Sequence, residues 1–272
     1  MISEIRVYLP GVNAVHSREV CARGFRKSNI VMNTILILHG WGIGSKTWVK
    51  VKEILESRGY KVYVPDLPGF GDSPVPEKPW SINDYADWAL SYCKKNNLLQ
   101  FVLIGHSFGG GISVKLVNNF PEKVRGLVLV APKLHRQKTL RYYGGLALAK
   151  IGKLVFSIPI LSFFHPLARK ILYELIGTKD YYKLELDKTN TMKETFRRVV
   201  GADLIPELAA IRIPTLIIWG DKDRMTPISD AYLIQKGING SKLEIIENGR
   251  HALNLETPEI LAEKIIKFIG IN

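Results

Sequence analysis

Short apolar runs alternating with segments of helical period constrain this chain's fold more than any other feature of its sequence. "TILIL" (Thr34–Leu38) reads as a buried strand, and "SKTWVKVKEILESRG" as a helix opened by Ser45 and closed by Gly59. "YKVYVPD" is the next strand, and "SINDYADWALSYCKKNN" an amphipathic helix capped by Ser81. "QFVLIG" predicts a strand, "FGGGISVKLVNNF" a helix ending at Pro121, and "VRGLVLVA" a further strand. After a long interruption, "PTLIIWG", "ISDAYLIQKG", "SKLEIIE" and "PEILAEKIIKFIG" follow as strand, helix, strand and helix. Continuous apolar strands separated by helices belong to parallel sheets buried on both faces, so the chain predicts an α/β fold.

The interruption covers residues 133–205 and holds helical, basic and aromatic segments without a clear strand. From Lys133 to Asp203 it carries 14 Lys and Arg against 6 Asp and Glu, within a total net charge of +13. Such a balance favours anionic substrates or surfaces, and peripheral association with an anionic membrane surface is one expectation. No RNA-binding glycine-aromatic run or helix-turn-helix pattern occurs, so nucleic acid is not an expected partner. "LVFSIPILSFFHPLA" (Leu154–Ala168) is uncharged for 15 residues but interrupted by Pro159 and Pro166. A spanning helix needs about 20 apolar residues, so no transmembrane segment is expected. Residues 1–31 are poorly patterned and read either as an edge hairpin around "EIRVYLPG" or as disorder, with no apolar signal-peptide core. Two cysteines, Cys21 and Cys93, make no disulfide framework, which predicts a reducing, cytoplasmic setting. Six histidines include no HxH or HExxH pair, and neither a metal nor another cofactor is expected.

The chemistry concentrates in "LIGHSFGGGIS" (Leu103–Ser113). Glycine loses the most chain entropy on folding, so a cluster of glycines around one hydroxyl is costly unless the backbone needs them. Gly105-His106-Ser107-Phe108-Gly109 lies between a predicted strand and a predicted helix, the context of a G-x-S-x-G nucleophile elbow. The sharp turn strains the serine, and a Cβ at the flanking glycines would collide with the neighbouring strand and helix. The helix that follows begins just past the hydroxyl, where its N-terminal dipole favours a developing oxyanion.

Four further stretches accompany the elbow: "LHGWG" (Leu38–Gly42), "DLPGFGDS" (Asp66–Ser73), "WGDKDRMTP" (Trp219–Pro227) and "GRHALNLETPE" (Gly249–Glu259). With these motifs in this order, the chain resembles the α/β-hydrolase family over roughly residues 32–270, as a serine esterase or lipase-like member. The resemblance implies a mostly parallel eight-stranded sheet flanked by helices, built from residues 32–132 and 206–272. It also implies a helical cap at residues 133–205.

The family's chain order Ser…Asp…His implies Ser107 as nucleophile and His251 as its base. Asp221 and Asp223 share the loop after "TLIIWG". The resemblance favours Asp223 as the acid that orients His251, with Asp221 expected to cap the turn through its own backbone. Backbone N–H groups of Phe108 and, by family analogy, Trp41 are the expected oxyanion hole. His106 is expected to point away from the hydroxyl in a structural role, and His39 to buttress the oxyanion loop. In "DLPGFGDS", Gly69 and Gly71 would permit turns while Asp66 anchors a strand end.

A serine at the elbow sets the chain apart from haloalkane dehalogenases and epoxide hydrolases, which resemble it but place Asp there. Carbon–carbon hydrolases of ring-cleavage products keep the serine but typically carry Trp after the catalytic histidine, where this chain has Ala252. The leading expectation is hydrolysis of a small-molecule carboxylic ester with an apolar acyl part. "LALAKIGKLVFSIPILSFFHPL" in the cap would either line an acyl pocket or pack the cap onto the core. A carbon–carbon hydrolase, and a ligand receptor that retains the triad with little turnover, are the alternatives.

Overall fold

The computed structural model of the chain describes residues 34–135 and 190–271. Six strands form one sheet: β1 (Thr34–Leu38), β2 (Lys61–Tyr63), β3 (Phe101–His106), β4 (Val124–Val130), β5 (Thr215–Gly220) and β6 (Lys242–Ile246). Their order is β2-β1-β3-β4-β5-β6, and every neighbouring pair is parallel. The described residues thus hold six of the eight strands expected. The anticipated hairpin around residues 4–11, and residues 136–189 of the anticipated cap, lie outside the described residues.

Helices cover both faces because the central strands are apolar on both sides of the sheet. Leu36, Leu38, Leu103, Leu127, Leu129, Ile217 and Trp219 point into one core, packed against α2 (Ile82–Lys95), α3 (Phe108–Asn119) and α5 (Ile228–Gly237). Ile35, Ile37, Val102, Ile104, Val128, Val130, Leu216 and Ile218 enter the other, against α1 (Val49–Ser57) and α7 (Pro258–Ile271). The two remaining described helices are α4 (Asn190–Gly201) and the short α6 (Leu253–Glu256). Each fully buried Leu or Ile contributes about 1.5–3 kcal/mol.

Local signals explain most element ends. Ser81 caps α2 in a reciprocal box with Asp84, as the sequence predicts. The helix predicted from Ser45 differs: Ser45–Trp48 is a 3₁₀ turn, its N-cap is Gly44, and the α-helix begins only at Val49. Ser45 is held instead by a distant carboxylate: its N–H donates to Asp66 Oδ1 at 2.6 Å, and its hydroxyl bonds the same carboxylate rather than a helix N–H. Asp66 Oδ2 also accepts the Asp72 N–H at 2.9 Å, so one carboxylate ties the loop before α1 to the 66–73 loop. Gly69 and Gly71 make that loop's turns at φ 89° and 55°.

The Asp66 carboxyl sits below its ordinary range. Burial alone would raise it, but the Ser45 and Asp72 N–H groups, with the Ser45 hydroxyl and His39, together outweigh burial. A carboxyl depressed on folding stabilises the protein above its unfolded value and loses that contribution as pH falls through the folded value. Asp66→Asn should therefore lower the urea midpoint at neutral pH, and the gap from wild type should close below roughly pH 4. A gap that stays constant from neutral to acid pH would contradict this account.

Topology locates the candidate site. Leaving β1, the chain goes to β2 on one side, then returns to β3 on the other. The crevice at the carboxyl ends of β1 and β3 is therefore a topological switch point, where open parallel sheets bind ligands. His39–Gly42 follows β1 and Ser107 follows β3, so the segments carrying Trp41 and Phe108, the expected oxyanion donors, both leave the sheet at this place.

Candidate active site

Ser107 lies between β3 and α3 with φ 51° and ψ −112°, a conformation that non-glycine residues adopt only under constraint. Three backbone bonds supply the constraint. The Ser107 N–H donates to Val130 O at 3.0 Å, and its carbonyl accepts from Gly110 at 3.0 Å and Lys133 at 2.9 Å. The flanking glycines make room for the turn. A Cβ on Gly105 would lie 2.6 Å from Gly109 O and 2.7 Å from Gly110 Cα, and one on Gly109 would strike the Leu38 carbonyl. Gly109→Ala should cost about 3 kcal/mol, the upper end for overpacking, because the obstacle is rigid backbone. At roughly 2–4 °C per kcal/mol, thermal denaturation should show Tm lower by about 6–12 °C. An unchanged Tm would refute the close approach.

Phe108 begins α3, so its N–H is one of the four that have no partner inside the helix. Its ring meets the Trp41 indole edge-on at 5.2 Å, and Trp41 in turn touches Phe70 at 4.8 Å and Phe196 at 5.1 Å. The two expected oxyanion donors thus belong to residues whose side chains pack together. His39 steadies the same loop. Its Nδ1–H donates to Gly40 O at 2.8 Å, and its Nε2 accepts the Leu67 N–H at 2.9 Å. Both ring nitrogens are committed, and full burial of the ring pushes its pKa down against the opposing Gly40 bond and Asp66 charge, which keeps it neutral.

Asp223 and His251 come from loops following β5 and β6. Asp223 Oδ2 lies 2.7 Å from His251 Nδ1. A carboxylate only accepts, so Nδ1 carries the proton and Nε2 is left with a lone pair. The Asp223 side chain is buried; burial raises its pKa, but the bond and charge of His251, with the Thr226 hydroxyl and N–H, more than offset this. The carboxyl is held below its ordinary value and stays ionised near neutral pH.

Asp221 does not take the place expected of it. Its Oδ1 is buried without a hydrogen-bond partner, and Oδ2 lies 3.9 Å from Lys222 Nζ. Asp223 itself caps the turn, accepting the Met225 N–H at 2.7 Å and the Thr226 N–H at 3.0 Å on Oδ1. Two residues of the arrangement escaped sequence reasoning. The Thr226 hydroxyl donates to Asp223 Oδ2 at 2.7 Å and lies 3.2 Å from His251 Nδ1. The D-x-x-T spacing was its only signal. Lys133, whose pKa burial draws down, donates its backbone N–H to the Ser107 carbonyl. Among the described residues no cluster of His, Cys, Asp and Glu could hold a metal ion, and no helix is long and apolar enough to cross a membrane.

A family described as alpha/beta hydrolase fold matches residues 33–145 and 180–258, well over half the chain. The chain belongs to the alpha/beta hydrolase fold family. Relatives within it differ in chemistry. This alpha/beta hydrolase is 28% identical over 250 residues to a pimeloyl-[acyl-carrier protein] methyl ester esterase of Wigglesworthia glossinidia brevipalpis, covering 86% of this chain and 92% of that protein. It is 25% identical over 261 residues to a 2-hydroxy-6-oxononadienedioate/2-hydroxy-6-oxononatrienedioate hydrolase of Escherichia coli, covering 87% of each. Among solved structures, an esterase from Exiguobacterium antarcticum superposes with a TM-score of 0.68 at 22% identity, covering 88% of this chain and 92% of that one.

Proposed function

We propose that the chain hydrolyses small carboxylic esters through an acyl-enzyme on Ser107. The observation that carries this reading is the 2.7 Å contact between His251 Nδ1 and the buried Asp223 carboxylate, which leaves Nε2 as a base. Ser107 Oγ attacks the ester carbonyl carbon while its proton passes to His251 Nε2. Backbone N–H groups of Phe108 and Trp41 hold the resulting oxyanion, each worth about 10²–10³ in rate. Collapse of the tetrahedral species expels the alcohol, which takes the proton from His251. Water then attacks the acyl-enzyme, gives a proton to His251, and the acid leaves as that proton returns to Ser107. Asp223 orients the imidazole and stabilises its cation without becoming protonated.

We assign residues 133–205 as the chain's cap segment, an assignment supported by the interruption of the family match between residues 145 and 180. The aromatic group of Trp41, Phe70, Phe108 and Phe196 beside the elbow suits an apolar acyl part. Carbon–carbon cleavage is favoured by the Escherichia coli relative, but Ala252 after His251 favours esters. A panel from p-nitrophenyl acetate to longer acyl chains tests the assignment, together with fluorophosphonate labelling mapped by peptide mass. Ester turnover with label on Ser107 is expected. Cleavage of a ring-fission diketone without ester turnover would replace the reading with carbon–carbon hydrolysis, and saturable binding without turnover would replace it with a receptor.

A further inference from the structure

His106 ends β3, directly before Ser107, and is only 2% exposed. Its ring packs 5.1 Å from the His251 ring and 5.9 Å from the Trp48 indole. Nε2 lies 3.0 Å from the backbone carbonyl oxygen of His251. A carbonyl can only accept, so Nε2 carries the hydrogen and Nδ1 is a bare lone pair. Nδ1 is buried without a hydrogen-bond partner, on the side where a Cβ on Gly40 would approach to 3.2 Å. An unsatisfied buried acceptor costs about 1–3 kcal/mol, a cost that a phenyl ring of similar shape would not carry. Packing alone therefore does not account for a histidine here; its donor does.

That donor is constant. A second ring proton would have to sit on Nδ1, where no acceptor faces it. Burial pushes the ring's pKa down to about 3, with the charges of His251 and His39 acting in the same direction against the bond to the His251 carbonyl and the charge of Asp223. Other bonds hold the neighbouring residues of the His251 loop: Gly249 O accepts from Lys222 at 2.9 Å, and the Arg250 N–H donates to Glu256 at 3.0 Å. The His251 carbonyl is tied instead to β3, through the residue joined by one peptide bond to Ser107.

We propose that His106 is a positioning residue: its Nε2–H holds the His251 carbonyl, and so keeps the imidazole in register with both Asp223 and Ser107. The proposal rests on the assignment of Ser107, His251 and Asp223 above. It separates two roles that the fold places side by side, since His106 moves no proton and His251 does.

The test compares His106→Phe, His106→Asn and His106→Gln in the full chain, with Tm measured for each. Phe removes the donor, Asn keeps an amide too short to reach, and Gln carries an N–H about as far out as imidazole Nε2. Phe and Asn should lower kcat by roughly 10–100-fold with KM within about twofold, as expected when a supporting bond behind a reacting group is lost. Gln should recover most of kcat. A purely structural role would make kcat follow Tm rather than the presence of the donor. Wild-type kcat in Phe or Asn, or Gln no better than Asn, overturns the proposal. Should Phe fail to fold, the Gln and Asn pair decides by the same comparison. Wild-type protein with neither ester turnover nor Ser107 labelling would overturn the triad assignment and this proposal together. Normal wild-type labelling with indifferent His106 variants would overturn this proposal alone.

Discussion

Ser107→Ala should lower ester turnover by about 10⁶-fold, the loss typical when the nucleophile of such a unit is removed. The size follows from how the site works: without Oγ no acyl-enzyme forms, and the imidazole has no hydroxyl to activate. A residue of catalysis should survive, because the backbone donors and the substrate crevice remain. The fold should survive as well. Serine already occupies φ 51°, and alanine carries the same Cβ into that conformation, so no new clash arises. Stopped-flow and long-time assays on the best substrate of the panel check the rate, with Tm as the control for folding. Turnover within tenfold of wild type would remove Ser107 from the mechanism.

Asp223→Asn should cost about 10⁴-fold in kcat, because an amide facing Nδ1 favours the wrong imidazole tautomer. With its proton on Nε2, His251 has no lone pair for the serine. The asparagine carbonyl can still accept the Met225 and Thr226 N–H groups, so the turn should persist and the loss should be chemical rather than structural. Asp221→Asn gives the contrast. Its side chain makes no contact with His251 among the described interactions, and kcat should stay within about twofold, the range of a change worth 0.5 kcal/mol. Parallel kinetics on the two variants check the pair. Loss in Asp221→Asn with retention in Asp223→Asn would reverse the assignment of the acid.

Much of this was legible along the chain because it depends on local periodicity. Ile228–Gly237 forms the helix that "ISDAYLIQKG" spells, and each predicted strand from Thr34 onward overlaps an observed one, β3 running one residue further to His106. Where the prediction failed, a distant partner intervened. Ser45 does not cap a helix; Asp66, 21 residues away, holds both its N–H and its hydroxyl. Asp221 does not cap the turn, since Asp223 accepts both N–H groups and still reaches His251.

The sequence alone determined the alternation of strand and helix, the glycine-flanked serine and the family, because each is written in spacing over a few residues. Only the tertiary structure decided which aspartate faces His251, which tautomer that ring holds, and that Thr226 and His106 grip its surroundings. Those are matters of angstroms between segments that the chain keeps far apart: Asp223 and His251 stand 28 residues from each other, and His106 and His251 stand 145. A hydrogen bond depends on distance and direction in space, and residue types in order carry neither until the sheet brings its strand ends together.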